Sequence, residues 1–245
     1  MPFLEAILML VLAHRGMGKG RYENTLKSFE EGLSYGAHGI ELDVRLTKDG
    51  AVILNHDPNL MRTMGLDVKL SETTLAELDK MDLIGFDSLT TLETVYKELP
   101  EETFIDVEIK AVEAVPQVIK IIKRFDAVER TMFSSFHHDC LLAFTQEFFG
   151  RPMIAPIIDK EIRQVGGEEY LAGVIKKYKP YSVNLNKDLF EYLGLEKGLA
   201  MLRKVRESGT RISLWTLNDQ NLLLKVREVC DFLITDCSDK MMEVL

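Results

Sequence analysis

The chain has 245 residues, of which 46% are hydrophobic, and its formal net charge at pH 7 is −9. That length and apolar content are enough to bury a large core. The negative charge argues against nucleic-acid partners and against general attraction to anionic membranes, because both require a basic protein surface.

The cysteines and the N-terminal run bear on where the protein works. Cys140, Cys230 and Cys237 are odd in number and lack metal-ligand spacing, which favours free thiols in a reducing compartment. The apolar run 3–12 contains Glu5 and has no basic residue before it, so it is a poor signal peptide and too short to span a membrane. We therefore expect a cytoplasmic protein without stable membrane insertion.

Strand-like and helix-like segments alternate through most of the chain. Apolar runs and alternating patterns predict eight strands, and amphipathic stretches predict helices between them. The predicted strands are 7–13, 39–46, 103–110, 131–136, 153–158, 182–186, 211–217 and 231–235, and a turn at 48–50 predicts a hairpin partner at 51–56. The predicted helices are 26–35, 116–125, 139–149, 168–178, 197–208, 220–229 and 238–245.

The alternation of strands and helices predicts a (β/α)8 barrel, which typically needs roughly 250 residues. The alternation lapses between residues 58 and 99, where helices are predicted at 74–81 and 91–99, each with a threonine near its start. We interpret the whole chain, 1–245, as one barrel domain with a small insertion at about 58–99.

Charged residues lie at or near the ends of the first three predicted strands. His14 and Arg15 follow the first apolar run, and Glu41 and Asp43 alternate with apolar residues in the second. Residues two apart on a strand point to the same face, so the two carboxylates project together. Two acidic groups in one space repel each other unless a cation or a proton lies between them.

The third predicted strand repeats this arrangement. Glu108 and Lys110 share a face, and Asp106 lies on the same face one step deeper. Glu41, Asp43 and Glu108, with no clustered cysteine, favour a hard divalent cation such as Mg²⁺ or Ca²⁺ over zinc.

The remaining charged groups indicate what the cation would act on. Arg15 and Lys110 beside a metal favour an anionic substrate, most simply a phosphate. His14 and His56 supply two groups that titrate near neutrality, as a general acid and a general base require. The C-terminal ends of barrel strands are where barrel enzymes hold their active sites.

The joint pattern resembles the glycerophosphodiester phosphodiesterase family. The residues that carry the resemblance, in chain order, are His14-Arg15-Gly16, Glu23-Asn24-Thr25, Glu41-Leu42-Asp43, His56-Asp57, Arg62-Thr63, Thr91-Leu92-Glu93, Glu108-Ile109-Lys110, Trp215-Thr216-Leu217-Asn218 and Ile234-Thr235-Asp236. Tyr22 and Thr90 depart from it, because the family usually has proline at both positions. Neither departure removes a chemical group.

The resemblance implies hydrolysis of small-molecule glycerophosphodiesters to glycerol 3-phosphate and an alcohol. It implies His14 and His56 as catalytic acid and base, in an order that the sequence leaves open. It implies a divalent metal, Mg²⁺ or Ca²⁺ with Mn²⁺ as a further option, on the three carboxylates. It also implies that the insertion covers the site and shapes the pocket for the leaving alcohol. The implied substrate-binding residues are Arg15, Glu23, Lys110 and Trp215, and Phe136 is a further candidate because it lies at a predicted strand end.

Several alternatives remain open at this point. Trp215 is either a pocket residue or a core tryptophan, and Glu23 orients either the loop or a substrate hydroxyl. One rival function is a phosphodiester lyase or phospholipase that acts on intact lipid. Another is a non-catalytic phosphate-binding barrel, which would not need both histidines.

Overall fold

A computed structural model describes residues 9–17, 22–81, 89–149 and 152–245, so the predicted strand residues 7 and 8 and the run 3–8 lie outside the described residues. The strands, in chain order, are β1 (Leu10–His14), β2 (Gly39–Leu46), β3 (Val52–Leu54), β4 (Asn59–Leu60), β5 (Leu66–Lys69), β6 (Phe104–Ile109), β7 (Thr131–Ser135), β8 (Met153–Ile158), β9 (Ser182–Asn186), β10 (Arg211–Trp215) and β11 (Phe232–Thr235).

Eight of these strands form a closed parallel barrel. The strand order runs β1-β11-β10-β9-β8-β7-β6-β2, and β1 pairs with β2 to close the ring. β3 adds to the edge of β2 in antiparallel fashion, which confirms the predicted hairpin. The (β/α)8 fold class is therefore confirmed.

Helices follow the barrel strands, as the alternation predicts. They are α1 (Leu26–Ser34), α2 (Met61–Met64), α3 (Leu75–Leu78), α4 (Leu92–Glu98), α5 (Val115–Arg124), α6 (Leu141–Glu147), α7 (Gly167–Tyr178), α8 (Leu189–Leu193), α9 (Leu195–Glu207), α10 (Gln220–Val226) and α11 (Ser238–Met242). Over the described ranges, these helices are all too short or too polar to cross a bilayer.

Some predicted boundaries were wrong. The helix predicted to end at residue 229 ends at Val226, because the carbonyl of Val226 accepts from the backbone N–H groups of both Val229 and Cys230 and the chain turns into β11. The strand predicted to reach Leu217 ends at Trp215. The helix predicted at 74–81 is a single turn, although Thr74 and Glu77 form a capping box at its start.

The interior of the barrel is apolar at its N-terminal end. Phe104 stacks on Phe232 at 5.4 Å between ring centroids, among other buried apolar side chains from β1, β7 and β8. Two larger apolar clusters pack with the surrounding helices. This packing leaves the polar inward-facing residues at the C-terminal end of the barrel.

Strand register brings the predicted polar residues side by side. His14 lies opposite Glu41 on the paired strands β1 and β2, and Asp43 lies opposite Glu108 on β2 and β6. Asp106 pairs with Glu41 one step deeper. The shared polar face inferred from the i, i+2 spacing is therefore confirmed.

The segment predicted as an insertion has a small apolar cluster of its own. Leu60, Leu70, Leu78 and Leu89 are buried there, and they pack with Ile53 of β3. Its described residues form the hairpin of β4 and β5, the short helices α2 and α3, and α4, while residues 82–88 lie outside the described part.

We expect Gly39→Ala to destabilise the barrel. A methyl group at Gly39 would overlap the backbone carbonyl of Phe104 on the neighbouring strand, where the backbone has no room to yield. Overpacking of this kind costs about 1–3 kcal/mol of the free energy of unfolding, which urea denaturation would measure. Gly173→Ala is the matched control, because a methyl group in that part of α7 meets no atom within 4 Å. Its expected change is neutral or a gain of up to about 1 kcal/mol.

Candidate active site

A cleft opens at the C-terminal end of the barrel. Both predicted catalytic histidines line it, together with acidic, basic and aromatic side chains. Its lining residues are His14, Arg15, Glu41, His56, Asp106, Glu108, Lys110, Ser134, Phe136, Ile157, Asn184, Trp215, Thr216 and Ile234.

Three buried carboxylates meet beside this cleft. One oxygen from each of Glu41, Asp43 and Glu108 lies within 4.8 Å of the other two. Arg15 Nε is 3.1 Å from Asp43 Oδ2, and Lys110 Nζ is 2.6 Å from Glu108 Oε1 and 3.4 Å from Asp43 Oδ1. The two cations therefore reach Asp43 and Glu108, while Glu41 has only His14, at 3.8 Å, as an ion-pair partner among the described residues.

The electrostatics of this cluster favour an additional cation. Burial raises the pKa of Glu41 well above its usual range, and Asp43 and Glu108 add to the rise. Burial also raises the pKa of Glu108 to about 7, against the attraction of Lys110. Burial would raise the pKa of Asp43 as well, but Arg15 and Lys110 outweigh it and hold that pKa below its usual range. A hard divalent cation would satisfy these closely spaced oxygens, so the residues fit such an ion.

The loop after β1 holds Arg15 against the cluster. The Arg15 N–H donates to the Glu41 carbonyl at 2.9 Å and lies 3.2 Å from Glu41 Oε2. Gly16 follows with a φ of +79°, and a side chain there would overlap Ser28 on α1. The glycine therefore allows the close contact between this loop and α1.

Each residue of the Glu23-Asn24-Thr25 motif has a separate structural role. Asn24 donates to Asp43 Oδ2 at 2.9 Å and accepts from the Asp43 N–H at 3.1 Å, which fixes that carboxylate. Thr25 caps α1 by accepting from the Ser28 N–H. Glu23 is buried, pairs with Arg15 at 3.0 Å, and is not among the lining residues of the cleft.

A carboxylate holds the ring of His14. Its Nδ1 lies 2.8 Å from Asp236 Oδ1, and Asn218 donates to the other oxygen of Asp236 at 2.8 Å. Asp236 follows β11 and Asn218 follows β10, so two adjacent strand ends position one histidine. An acceptor on Nδ1 favours the tautomer that has a free Nε2 toward the cleft.

His56 is held in the same way by its neighbour. Its Nδ1 lies 2.6 Å from Asp57 Oδ1, and Arg45 donates twice to the His56 carbonyl, at 2.9 and 2.7 Å. Burial lowers the pKa of His56, with Lys110 and Arg15 contributing, against the opposing effects of Asp43 and Asp57. His56 is therefore favoured as a neutral imidazole near pH 7.

Two aromatic side chains form one wall of the cleft mouth. Phe136, which is 46% exposed, packs edge-on against Trp215 with ring centroids 5.9 Å apart. Trp215 donates through Nε1 to the Asn184 carbonyl at 3.1 Å, and Lys110 Nζ lies 5.5 Å from the Phe136 ring centre. Trp215 is half-buried and lines the cleft, so it is a pocket residue as well as a packing residue.

Asp106 lies deeper in the cleft. Ser134 donates to its Oδ1 at 2.7 Å and Asn184 to its Oδ2 at 3.0 Å, and burial raises the pKa of Asp106 to about 7. Asn184 lies in the middle of β9.

The structure brings all the predicted site residues except Glu23 to the cleft or to the acidic cluster beside it. Four residues without a predicted role contact the histidines or their partners: Asp57, Arg62, Asn218 and Asp236. All four belong to motifs that carry the family resemblance. The resemblance was therefore the sequence signal that could have identified them.

The fold and this cluster define a (β/α)8 barrel with a candidate divalent-cation site and two carboxylate-held histidines in one cleft. Residues 14–240 match the glycerophosphoryl diester phosphodiesterase family. The chain belongs to that family.

Individual relatives agree with this assignment. A glycerophosphodiester phosphodiesterase from Thermotoga maritima has a crystal structure that superposes with a TM-score of 0.81 at 35% identity, over 97% of this chain and 98% of that one. A curated glycerophosphodiester phosphodiesterase of Caldanaerobacter subterraneus is 37% identical over 53% of this chain and 58% of its own length. This relative and two other curated relatives are each matched over only 58 to 60% of their own length.

A more distant relative has a structure with a bound product. An Oleispira antarctica phosphodiesterase, solved in complex with sn-glycerol-3-phosphate, superposes with a TM-score of 0.78 at 22% identity, over 98% of each chain. At that identity the likeness concerns the fold.

Proposed function

We propose that this protein hydrolyses glycerophosphodiesters to glycerol 3-phosphate and an alcohol, with a divalent metal ion. The observation that carries the proposal is the convergence in one cleft of two histidines, two basic side chains and a buried carboxylate cluster. Membership of the family supports it, and the product bound by the Oleispira antarctica relative is the product proposed here.

Glu41, Asp43 and Glu108 would hold the metal ion. Their all-oxygen ligand set suits Mg²⁺ or Ca²⁺, with Mn²⁺ as a further option. When bound, the ion supplies Lewis-acid activation and a template for the phosphate and a glycerol hydroxyl. Asn24 keeps the Asp43 carboxylate oriented, so the ligand set is preorganised.

Arg15 and Lys110 would bind the phosphoryl oxygens. Both line the cleft beside the acidic cluster, and burial favours strong charge–charge contacts there. The negative charge on these oxygens is redistributed as phosphoryl transfer proceeds. Fixed cations stabilise it without reorganisation at the moment of reaction.

His14 and His56 would act as the acid–base pair. In each, a carboxylate contacts Nδ1, which leaves Nε2 for the substrate. A neutral imidazole takes a proton on Nε2, and the resulting imidazolium donates one from the same atom. The same two residues can therefore exchange roles between two successive steps.

We propose that the substrate's own neighbouring glycerol hydroxyl attacks phosphorus. One histidine takes the hydroxyl proton, the bond from phosphorus to the leaving oxygen breaks, and the other histidine protonates the departing alcohol. A cyclic glycerol phosphate results, and water then opens it with the histidine roles reversed. An internal nucleophile is already held beside phosphorus, so much of the entropic cost of the encounter is avoided.

This path predicts a strong dependence on that hydroxyl. A diester whose glycerol lacks the neighbouring hydroxyl should be cleaved at least about 10²-fold more slowly than its parent, because the internal nucleophile is missing. Initial rates of alcohol release would measure the difference. Cleavage of the analogue at the rate of the parent would leave direct attack by water as the path.

The aromatic wall would accommodate the glycerol or an adjoining apolar group. Phe136 is the more exposed of the pair, and Trp215 is fixed by its bond to Asn184. The insertion at 58–99 would cover this side of the site and shape the pocket for the leaving alcohol.

A comparison of substrates tests the proposed function against its rivals. The protein is incubated with Mg²⁺ or Ca²⁺ and either glycerophosphocholine or intact phosphatidylcholine vesicles. The proposal expects glycerol 3-phosphate from the first and no lipid cleavage from the second. Cleavage of the intact lipid alone would favour the phospholipase or lyase, and cleavage of neither would favour a phosphate-binding barrel.

We also propose a cytoplasmic location. The three cysteines are free, and the chain carries a net charge of −9, which gives no support to a stable association with anionic membranes.

A further inference from the structure

A continuous chain of ion pairs connects the loop after β1 to His56. Arg62, on α2, donates from its two terminal nitrogens to the two oxygens of Glu23, at 2.8 and 2.6 Å. Its Nε donates to Asp57 Oδ2 at 2.6 Å, and the other oxygen of Asp57 contacts His56 Nδ1 at 2.6 Å. Glu23 also accepts from Arg15 at 3.0 Å.

The guanidinium of Arg62 binds two carboxylates at once. Its outer edge forms a two-bond pair with Glu23, and its Nε reaches Asp57. A planar fork of fixed donors suits this arrangement, whereas a lysine ammonium presents a single point charge. Glu23 has a side-chain exposure of only 6%, so the anchor of the fork is a buried group.

Arg62 is not among the residues that line the cleft, and its side chain is 42% exposed. Any effect that it has on the reaction must therefore pass through the groups that it binds. Asp57 is the group between it and His56.

We propose that Arg62 is a positioning residue, anchored by Glu23, that fixes Asp57 and through it the ring orientation and tautomer of His56. The inference rests on the proposed function for its kinetic consequences and on contacts alone for its structural ones. Glu23 serves the substrate side as well, because it also binds Arg15. The buried carboxylate of Glu23 thus contacts Arg15, a proposed phosphate-binding residue, and also supports the orientation of His56 through Arg62 and Asp57.

Loss of Arg62 would leave the Asp57 carboxylate less restrained. Among the described residues, the Asp57 carboxylate would keep only its contact to His56 and would lose the ion pair that restrains its rotation. A histidine whose Nδ1 partner moves samples both tautomers, and only one of them presents a free Nε2 to the substrate. A misplacement of about 1 Å at a reacting group costs roughly 10²-fold in rate.

The structural consequence can be measured without any activity. The chain has five histidines, so a protein labelled with ¹⁵N in histidine gives a simple spectrum, in which His56→Gln assigns the signals of His56. In the metal-free wild type, the ¹⁵N shifts of His56 should report protonated Nδ1. In Arg62→Gln they should move toward the average of the two tautomers, while the signals of His14 stay in place.

Lys69→Gln is the matched control for this measurement. It breaks the exposed ion pair between Lys69 and Glu72 within the same predicted insertion, away from His56. Its His56 shifts should equal those of the wild type. Unchanged His56 shifts in Arg62→Gln would overturn the proposal, whether or not the protein hydrolyses diesters.

Kinetics supply the second test. Arg62→Gln should lower kcat on glycerophosphocholine about 10- to 100-fold, with a smaller change in KM. In a His56→Ala background the same substitution should cost nothing further, because both act through one group. Additive losses would contradict the proposal, whereas an inactive wild type would overturn the proposed function and leave the spectroscopic result to decide this one.

Discussion

Substitution of any predicted metal ligand should abolish metal-dependent turnover. Glu41→Ala, Asp43→Ala and Glu108→Ala each remove an oxygen from a three-carboxylate set whose ligand atoms lie within 4.8 Å of one another. A hard cation depends on those oxygens, so its affinity should fall with the rate. Release of glycerol 3-phosphate and calorimetric titration with Mn²⁺ would measure both.

Controls separate metal loss from unfolding. Glu41→Ala should stay folded, because burial and three neighbouring carboxylates already disfavour the charge on Glu41 in the absence of metal and raise its pKa. Asp43 pairs with two cations, so Asp43→Asn, which keeps its shape, is the better-matched variant there. Glu207→Ala, at an exposed position, should change nothing. Full turnover in Glu41→Ala would show that Glu41 is not a metal ligand.

Loss of either cleft histidine should lower turnover by about 10²–10⁴-fold, the usual size of a general acid–base contribution. His14→Ala and His56→Ala each remove a ring whose Nδ1 is held by a carboxylate. Substrate binding should change far less than kcat, because the proposed phosphate-binding residues are Arg15 and Lys110. Steady-state kinetics on glycerophosphocholine would show a fall in kcat with KM nearly constant.

The leaving group identifies which histidine is the acid. A p-nitrophenyl diester needs little protonation on departure, so the variant that lacks the acid should recover most of its rate on that substrate. His137→Ala is the control, because His137 is exposed near the cleft mouth and does not line it. Near-normal turnover of either variant on a diester with a poor leaving group would show that its histidine is neither acid nor base.

Much of the barrel was predictable because its signals are local. The predicted bounds of β2, β8 and β9 match the structure, since apolar runs and i, i+2 alternation specify strands that are buried on at least one face. The same alternation placed Glu41 and Asp43 on one face. The short helix α8 was missed, because Gly194, with a φ of +78°, separates it from α9 and the stretch resembles a loop.

The partners of the proposed catalytic groups could not be deduced from local patterns. Asp236 contacts His14 across 222 positions of sequence, and Arg62 contacts Glu23 across 39. Such pairs depend on barrel closure and on how the segment after β3 folds back, which no periodicity encodes. These residues belong to the motifs of the family resemblance, but those motifs give no information about their contacts.

The most direct measurement is metal reconstitution of the wild-type chain. The protein is stripped with a chelator, and release of glycerol 3-phosphate from glycerophosphocholine is followed before and after addition of Mg²⁺, Ca²⁺ or Mn²⁺. We predict no detectable release from the stripped protein and recovery with at least one of these ions. Equal release with and without metal, or no release with any of them, would contradict the assignment of the carboxylate cluster to metal-dependent diester hydrolysis.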